Sequence, residues 1–158
     1  MAFLWETFLG KIIMTFLISM VPVVELRGAI PMAAAHGLSL WIAYPTAIIG
    51  NLFPAPFIIL FIRQIFTWIR RVIPRLDRLI GKLEARAEKK SATVQKYAFW
   101  GLFLLVAVPL PGTGAWTGAL VAAMMEMRLK RALPAITLGV ITAGIIMVLL
   151  SLGVKSFI

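Results

Sequence analysis

The stretch PLPGTG at residues 109–114 divides an apolar segment, residues 97–127, into two arms of about a dozen residues each. Such a stretch cannot continue a helix, because proline lacks a backbone N–H and glycine favours turns. Each arm is also too short to cross a hydrocarbon core of about 30 Å, which needs about 20 apolar residues. We therefore predict a re-entrant helical hairpin over 97–127, with two tilted short spans as the alternative.

Basic residues flank this segment on both sides. Residues 63–96 hold ten Lys and Arg against three acids, and Arg128, Lys130 and Arg131 follow the second arm. Because basic loops face the cytoplasm, the segment should begin and end on that side. Two longer apolar runs, residues 40–62 and 132–154, are predicted transmembrane helices.

The composition is that of an integral membrane protein. Of the 158 residues, 61% are hydrophobic and 14% are charged, whereas a soluble domain is about one quarter charged. The net charge of +10 is therefore interpreted as positive-inside topology and attraction to anionic lipids, and we expect no nucleic-acid partner. No cysteine is present, which excludes thiol chemistry, and one histidine with six acids predicts no metal site and no cofactor.

The N-terminal part repeats the same order of segments. Apolar arms at residues 10–24 and 32–38 flank ELRGAIP at residues 25–31, which we expect to be the break of a first hairpin. An offset of 86 residues aligns Gly-Ala in the two motifs. The prediction is a single membrane domain with two inverted repeats (1–62 and 97–158), each a re-entrant hairpin followed by a transmembrane helix. The alternative is that residues 10–38 form one ordinary span.

Between the repeats, residues 63–96 are predicted to form a cytoplasmic amphipathic linker helix. Leucines and isoleucine recur at helical spacing after Pro74, and basic residues cover the opposite face. The acids have no basic residue three or four positions away, so the cations should meet an external anion such as a phospholipid head group.

Glu25 and Arg27 are the principal candidates for chemistry. A charge at mid-membrane depth costs at least about 2.5–3.5 kcal/mol, so it needs a partner, a cavity or a task. The two residues could neutralise each other or cap broken helix ends. Alternatively, Glu25 takes up protons and Arg27 binds an anion.

The other candidates for substrate or ion binding lie at the breaks in the apolar segments. The PLPGTG stretch precedes a half-helix whose free amides suit an anion, and prolines after Asn51 interrupt the first span. With Glu25 and Arg27, the predicted set is Gly28, Pro31, Asn51, Pro109, Pro111, Gly112, Thr113 and Gly114. No catalytic arrangement is recognisable, so we expect no enzyme.

At ELRGAIP (residues 25–31) and PLPGTGAWTG (residues 109–118), the chain resembles the prokaryotic small multidrug export proteins. That family in turn is similar to the DedA/VTT superfamily, whose members carry two opposed re-entrant hairpins. The resemblance implies a multi-pass protein of the prokaryotic cytoplasmic membrane. It also implies that Glu25 corresponds to an acidic residue of that superfamily and that residues 109–112 correspond to its Pro-x-Pro-Gly hairpin tip. In this chain, however, no acid lies near the proline pair.

Together these features predict a transporter of small amphiphiles, coupled to protons. The alternative is a DedA-like flippase or scramblase for polyprenyl-phosphate or phospholipid carriers. The expected partners are membrane lipids, protons and a small-molecule or lipid-phosphate substrate. We also expect a homodimer, because a second copy would cover the broken backbone of the hairpins.

Overall fold

A computed structural model of the chain describes residues 5–72, 91–110 and 112–157, which form helices and turns without a strand in those ranges. The predicted all-α class is confirmed for this part of the chain. The helices are α1 (Phe8–Met20), α2 (Glu25–Ala35), α3 (Leu40–Leu52), α4 (Pro54–Val72), α5 (Ser91–Ala107), α6 (Ala115–Met124) and α7 (Leu129–Phe157).

Helices α1 and α2 form an antiparallel pair joined by a turn at residues 21–24. Pro22 ends α1, because the residue before a proline is disfavoured in the helical region, and Val23 then takes a positive φ of 76°. At the other end of the pair, the rings of Trp5 and His36 stack with centroids 4.1 Å apart. The alternative of one span over residues 10–38 is therefore wrong.

The predicted break at residues 25–31 is also wrong, because ELRGAIP forms the first two turns of α2. The chain reverses at Pro22 instead, so Glu25 begins the returning helix. Pro31 is accommodated inside α2. It lacks an N–H, so the Arg27 carbonyl four residues earlier receives no helical hydrogen bond.

Helices α5 and α6 form a second pair, and the connection between them is the predicted break. The described residues of PLPGTG are not helical. Gly112 and Gly114 have φ values of 80° and 156°, a backbone region that side chains disfavour.

The predicted spans correspond to the longest apolar helices. Leu40–Ile62 and Leu129–Gly153 are long and apolar enough to cross a membrane. Large apolar side chains on them are exposed, among them Trp41 at 92% and Leu149 at 62%, as expected where hydrocarbon replaces water. The first span is interrupted where α3 ends at Leu52, two residues before Pro54, as the sequence predicted. The chain is a membrane protein.

The predicted linker helix lies largely outside the described residues, which omit 73–90. Within residues 63–96, the first ten continue α4 to Val72 and the last six begin α5. The amphipathic face is therefore an expectation from the sequence alone.

The two halves share the same local structure at an offset of 89 residues rather than 86. Helix α2 ends with Gly37 N–H donating to Ala34 and Leu38 N–H to Ala33, and α6 ends with the same two bonds at positions 89 residues later. This is the Schellman arrangement, in which the residue after the helix takes a positive φ; here these residues are Gly37 at 76° and Glu126 at 51°.

The offset continues into the long helices. Helices α3 and α7 begin at Leu40 and Leu129, and each carries a proline at its sixth position, Pro45 and Pro134. Their eleventh residues are glycines at which a neighbouring helix crosses closely. A Cβ on Gly50 would meet α1 at the Phe16 carbonyl, and one on Gly139 would meet α5 at the Phe103 carbonyl.

Small residues make up most of the core. Alanines from five of the helices are fully buried, and the larger buried side chains include Leu26, Ile30, Ile59 and Ile136. Small side chains let helix backbones approach closely, which is how membrane helices pack without a hydrophobic driving force. The second arm of each pair contacts the other half of the chain, α2 against α7 and α6 against α4. The turns of both pairs are thereby brought together.

Candidate functional site

The Glu25 carboxylate lies at the start of α6. It belongs to α2 and is 4% exposed, and its Oε1 accepts a hydrogen bond of 3.1 Å from the backbone N–H of Trp116. The N–H of Ala115 also faces this carboxylate. The first N–H groups of a helix have no partner within it and carry a partial positive charge, so an anion is stabilised there.

The Arg27 guanidinium lies at a helix C-terminus, that of α5. Its Nη2 donates to the carbonyls of Val106 and Val108 over 3.3 Å and 3.0 Å, and its Nη1 donates to Leu110. These carbonyls are at and just beyond the end of α5, where helical partners are missing and the dipole is negative. Two charges from α2 thus satisfy both broken helix ends of the second pair. The interpretation that they cap helix ends is confirmed.

Trp116 makes the matching contact in the other direction. Its indole Nε1 donates to the Met20 carbonyl over 2.9 Å, and Met20 is the last residue of α1. Trp116 lies 89 residues after Arg27, so the same position in each half binds the end of the first helix of the other half. The two turns are joined by reciprocal contacts.

Gly114 leaves the space that Glu25 occupies. It is buried at the start of α6, and a Cβ built there would collide with the carboxylate. At the offset of 89 residues, Gly114 and Glu25 are equivalent positions, so the contact joins corresponding points of the two halves. Only glycine is compatible with the observed position of the carboxylate.

The remaining residues of the PLPGTG turn hold its shape. The Thr113 hydroxyl donates to the carbonyls of Val108 and Leu110, which Arg27 also binds. The Gly112 carbonyl accepts from the hydroxyl of Thr117 over 2.8 Å. Pro109 is half-buried in the same turn, and Pro111 lies outside the described residues.

Asn51 is the remaining polar side chain at this junction. It is 1% exposed, and its amide lies beside the Glu25 carboxylate. Its Nδ2 and Oδ1 make no hydrogen bond of strict geometry, but the side chain is within hydrogen-bonding reach of that carboxylate. Gly28 and Pro31 are half-buried in α2, on the helix that carries both charges.

An open apolar groove of about 360 Å³ lies between α5 and α6. One wall runs along α5 from Tyr97 to Leu105. The next residue is Val106, whose carbonyl accepts a hydrogen bond from Arg27. The opposite wall is formed by Val121 and Met125. Within the described ranges, no group of three acidic or histidine side chains is arranged to hold a metal ion.

Sequence reasoning missed the backbone partners of the two charges. The carbonyls of Met20, Val106 and Val108 carry no sequence signal of their own, since every residue has one. Trp116 does carry a signal, because a tryptophan close to a proline-glycine turn is displaced from the membrane boundaries that tryptophan prefers.

The family model described as "Putative small multi-drug export protein" matches residues 25–146, a range that contains both charges and the whole second helix pair. No curated protein and no solved structure matches the chain. The chain belongs to this small multi-drug export protein family.

Proposed function

We propose that the protein is a transporter that moves small amphiphiles across the membrane, coupled to protons through Glu25. The observation that carries this proposal is the junction of Glu25 and Arg27 with the broken ends of α5 and α6. An ionisable side chain inside the bilayer costs free energy, and such residues are typical of substrate and proton pathways. The family description supports export as the direction.

The proposal includes a membrane orientation. Helices α1, α2 and α6 have 13, 11 and 10 residues, which at about 1.5 Å per residue is too short for a core of about 30 Å. Both pairs are therefore re-entrant, with their turns near the bilayer midplane. The basic residues of 63–96 and of 128–131, which flank the second pair, face the cytoplasm.

The halves would then be inverted repeats. The offset of 89 residues supports a repeat, and the helix pairs enter from opposite sides if both basic clusters are cytoplasmic. Substrate sites of such transporters lie at the repeat interface near the midplane, which is where Glu25 and Trp116 meet. The DedA/VTT resemblance favours the same arrangement.

Glu25 would couple protons to the opening of the junction. As a carboxylate it holds the α6 amides, and protonation removes the charge that the helix end stabilises. A cationic amphiphile would compete for the same carboxylate. Its apolar part fits the groove between α5 and α6, whose lining holds no charged side chain.

The test is transport by the full chain in proteoliposomes, with ethidium as the probe. We expect saturable ethidium movement that follows an imposed pH gradient and stops with a protonophore. Glu25→Gln keeps an acceptor for the Trp116 N–H but cannot titrate, so it should abolish gradient-driven transport in a folded protein. Thr46→Val, which removes a half-buried α3 hydroxyl bonded within its own helix, is the matched control.

Two outcomes would contradict the proposal. Transport by Glu25→Gln equal to that of the unchanged chain would exclude coupling through this carboxylate. Loss of the Glu25→Gln protein from the membrane, with Thr46→Val retained, would mean that Glu25 serves the fold alone.

A lipid-carrier flippase or scramblase is the second candidate function. It is favoured by Arg27, whose buried Nε has no hydrogen-bond partner and is available to a phosphate oxygen. Scrambling of a fluorescent phospholipid with no effect of the pH gradient would favour this function over proton-coupled export.

We place the protein in the cytoplasmic membrane of a prokaryote, as a homodimer whose second copy covers the exposed apolar helix faces. Its partners would be membrane lipids, protons and substrate, without nucleic acid. It would perform no covalent chemistry.

A further inference from the structure

The groove between α5 and α6 has dimensions that suit one lipid acyl chain. Its α5 wall runs from Tyr97 to Leu105, a rise of about 12 Å along the helix. One leaflet of a bilayer offers a hydrocarbon depth of about 15 Å, half of the core of about 30 Å. None of the residues that line the groove is charged. The groove therefore fits the upper part of a chain that belongs to a single leaflet.

The middle of the groove is left open by Gly101. This residue is exposed on α5, and a Cβ built on it meets nothing within 4 Å. Gly118 and Gly139 differ, because a Cβ on either would collide with the side chain of Val106. Those two glycines allow helices to pack closely. Packing of a neighbouring helix does not explain Gly101, so the space beside it is available to a ligand.

Basic side chains lie at one end of the groove. The PLPGTG turn joins the end of α5 to the start of α6, so Tyr97 and Met125 lie together at the other end of the pair. Arg128 follows Met125 by three residues, which keeps their Cα atoms within about 11 Å, and Lys130 follows in the first turn of α7. Both cations are exposed, and within the described ranges neither side chain makes an ion pair. An anion bound at this end would meet two positive charges.

We propose that the groove and the cations at its end bind one anionic phospholipid. The acyl chain lies between α5 and α6, and the phosphate lies beside Arg128 and Lys130, each of which attracts anionic lipid. Tyr97 is 71% exposed at this end, as expected for a ring at the level of the head groups. In the proposed orientation the lipid belongs to the cytoplasmic leaflet. The inference does not rest on proton coupling, although a transported amphiphile would have to displace the chain of this lipid.

The volume of the groove favours a lipid chain over a helix of a second copy. A helix has a diameter of about 10 Å with its side chains, so a segment 12 Å long occupies on the order of 1,000 Å³. The groove measures about 360 Å³, so such a helix could enter only in part. A second copy would also have to place an acidic group beside Arg128, whereas an anionic phospholipid brings its charge and its chain in one molecule.

The experiment measures lipid binding to the full chain and needs no transport. The protein in detergent micelles is titrated with dioleoyl phosphatidylglycerol, and native mass spectrometry counts the lipids bound to each chain. Dioleoyl phosphatidylcholine has the same chains without net charge, and glycerol phosphate has the charge without chains. Gly101→Leu fills the groove, whereas Gly153→Leu places the same side chain at an exposed glycine outside it.

Two further variants remove the head-group site. Arg128→Gln and Lys130→Gln each delete one cation at the end of the groove. Lys11→Gln is their control, because it deletes a cation on α1, which does not line the groove.

We expect one tightly bound phosphatidylglycerol per chain and no bound glycerol phosphate. Arg128→Gln and Lys130→Gln should each weaken phosphatidylglycerol binding about fivefold, the equivalent of about 1 kcal/mol for one cation, and leave phosphatidylcholine binding unchanged. Gly101→Leu should weaken binding of both lipids about tenfold or more, because the chain loses its space. Gly153→Leu and Lys11→Gln should bind as the unchanged chain does.

Three results would overturn the inference. Equal phosphatidylglycerol binding by folded Gly101→Leu and Gly153→Leu would exclude the groove. Equal affinity of the unchanged chain for the two lipids would exclude recognition of the negative charge. Binding of glycerol phosphate in competition with the lipid would indicate a site for phosphate alone.

A second variant keeps the test decisive if Gly101→Leu does not fold. Val121→Phe narrows the groove from the α6 wall and should weaken both lipids in the same way. Unchanged binding by this variant would contradict the inference. Ethidium transport enters none of these measurements, so failure of lipid binding and failure of the proposed function are distinguishable.

Discussion

The Glu25 carboxylate and the backbone N–H of Trp116 are joined by a 3.1 Å hydrogen bond across the junction of the two helix pairs. The bond connects α2 with the first turn of α6, so it joins the halves of the chain rather than neighbouring residues. Trp116 also donates from its indole to Met20 at the end of α1. If one turn moved away from the other, the hydrogen bond of Glu25 with Trp116 and that of Trp116 with Met20 would therefore both break.

Gly114→Ala should displace the Glu25 carboxylate. A Cβ at this position collides with the carboxyl group, and the φ of 156° disfavours a side chain. We expect a lower thermal unfolding temperature in detergent and loss of gradient-driven ethidium transport. Gly153→Ala is the matched control, because a Cβ there meets nothing within 4 Å and the residue lies outside the groove between α5 and α6. Equal transport by the two variants would show that the collision is relieved without consequence.

Trp116→Phe keeps an aromatic ring but removes the donor to Met20. The expected loss is about 0.5–1.5 kcal/mol in the free energy of unfolding, the usual contribution of one hydrogen bond. Chemical denaturation in mixed micelles measures it. Trp100→Phe is the control, since Trp100 is exposed on α5. Equal unfolding curves for both variants would mean that the bond to α1 contributes nothing.

Substitutions of Arg27 distinguish between an anionic and a cationic substrate. Its guanidinium is a planar fork that lysine cannot copy. If the substrate carries phosphate, Arg27→Lys should weaken binding by about 1–3 kcal/mol, and Arg27→Ala should weaken it further. A cationic substrate predicts the reverse, because removing Arg27 leaves Glu25 more available. Equilibrium binding of phosphatidic acid and of ethidium to each variant decides between them.

Arg27→Ala should also destabilise the protein, since three carbonyls at the end of α5 lose their donor. Binding is therefore measured on protein that elutes as a folded species. Unchanged phosphatidic acid binding by folded Arg27→Ala would rule out recognition of phosphate at this site.

Cysteine labelling tests the re-entrant orientation, and the chain contains no native cysteine to interfere. Leu110→Cys, at the second turn, should resist a membrane-impermeant maleimide from either side. Ser39→Cys before α3 should react from outside, and Arg128→Cys only after permeabilisation. Rapid labelling of Leu110→Cys in intact cells, equal to that of Ser39→Cys, would contradict the hairpin.

The sequence predicted the features that depend on hydropathy and on strong helix breakers. Two long apolar runs gave the spans, and PLPGTG gave the second turn, because two prolines and two glycines leave no helical alternative. The first turn was misplaced, since a single proline at position 22 inside an apolar run is a weaker signal than the charges of ELRGAIP. The charges mark the site rather than the break.

The repeat offset shows a similar limit. Gly-Ala in the two motifs suggested 86 residues, whereas the helix ends repeat at 89. The leucine, proline and glycine shared by α3 and α7 at equal spacing (Leu40, Pro45, Gly50 and Leu129, Pro134, Gly139) were visible in the sequence. The carbonyls that bind Arg27 were not predictable from the sequence. Every residue has a backbone carbonyl, and only the tertiary packing determines which of them Arg27 contacts.

The reciprocal contacts between the halves have a consequence for biosynthesis. Glu25 leaves the ribosome 91 residues before Trp116, and Arg27 precedes Val106 by 79. In the proposed orientation, both charges would enter the bilayer during that interval without the groups that stabilise them. In that orientation we expect the first half to be an incomplete insertion intermediate, whose integration into the bilayer is finished only when the second half has been synthesised and docked.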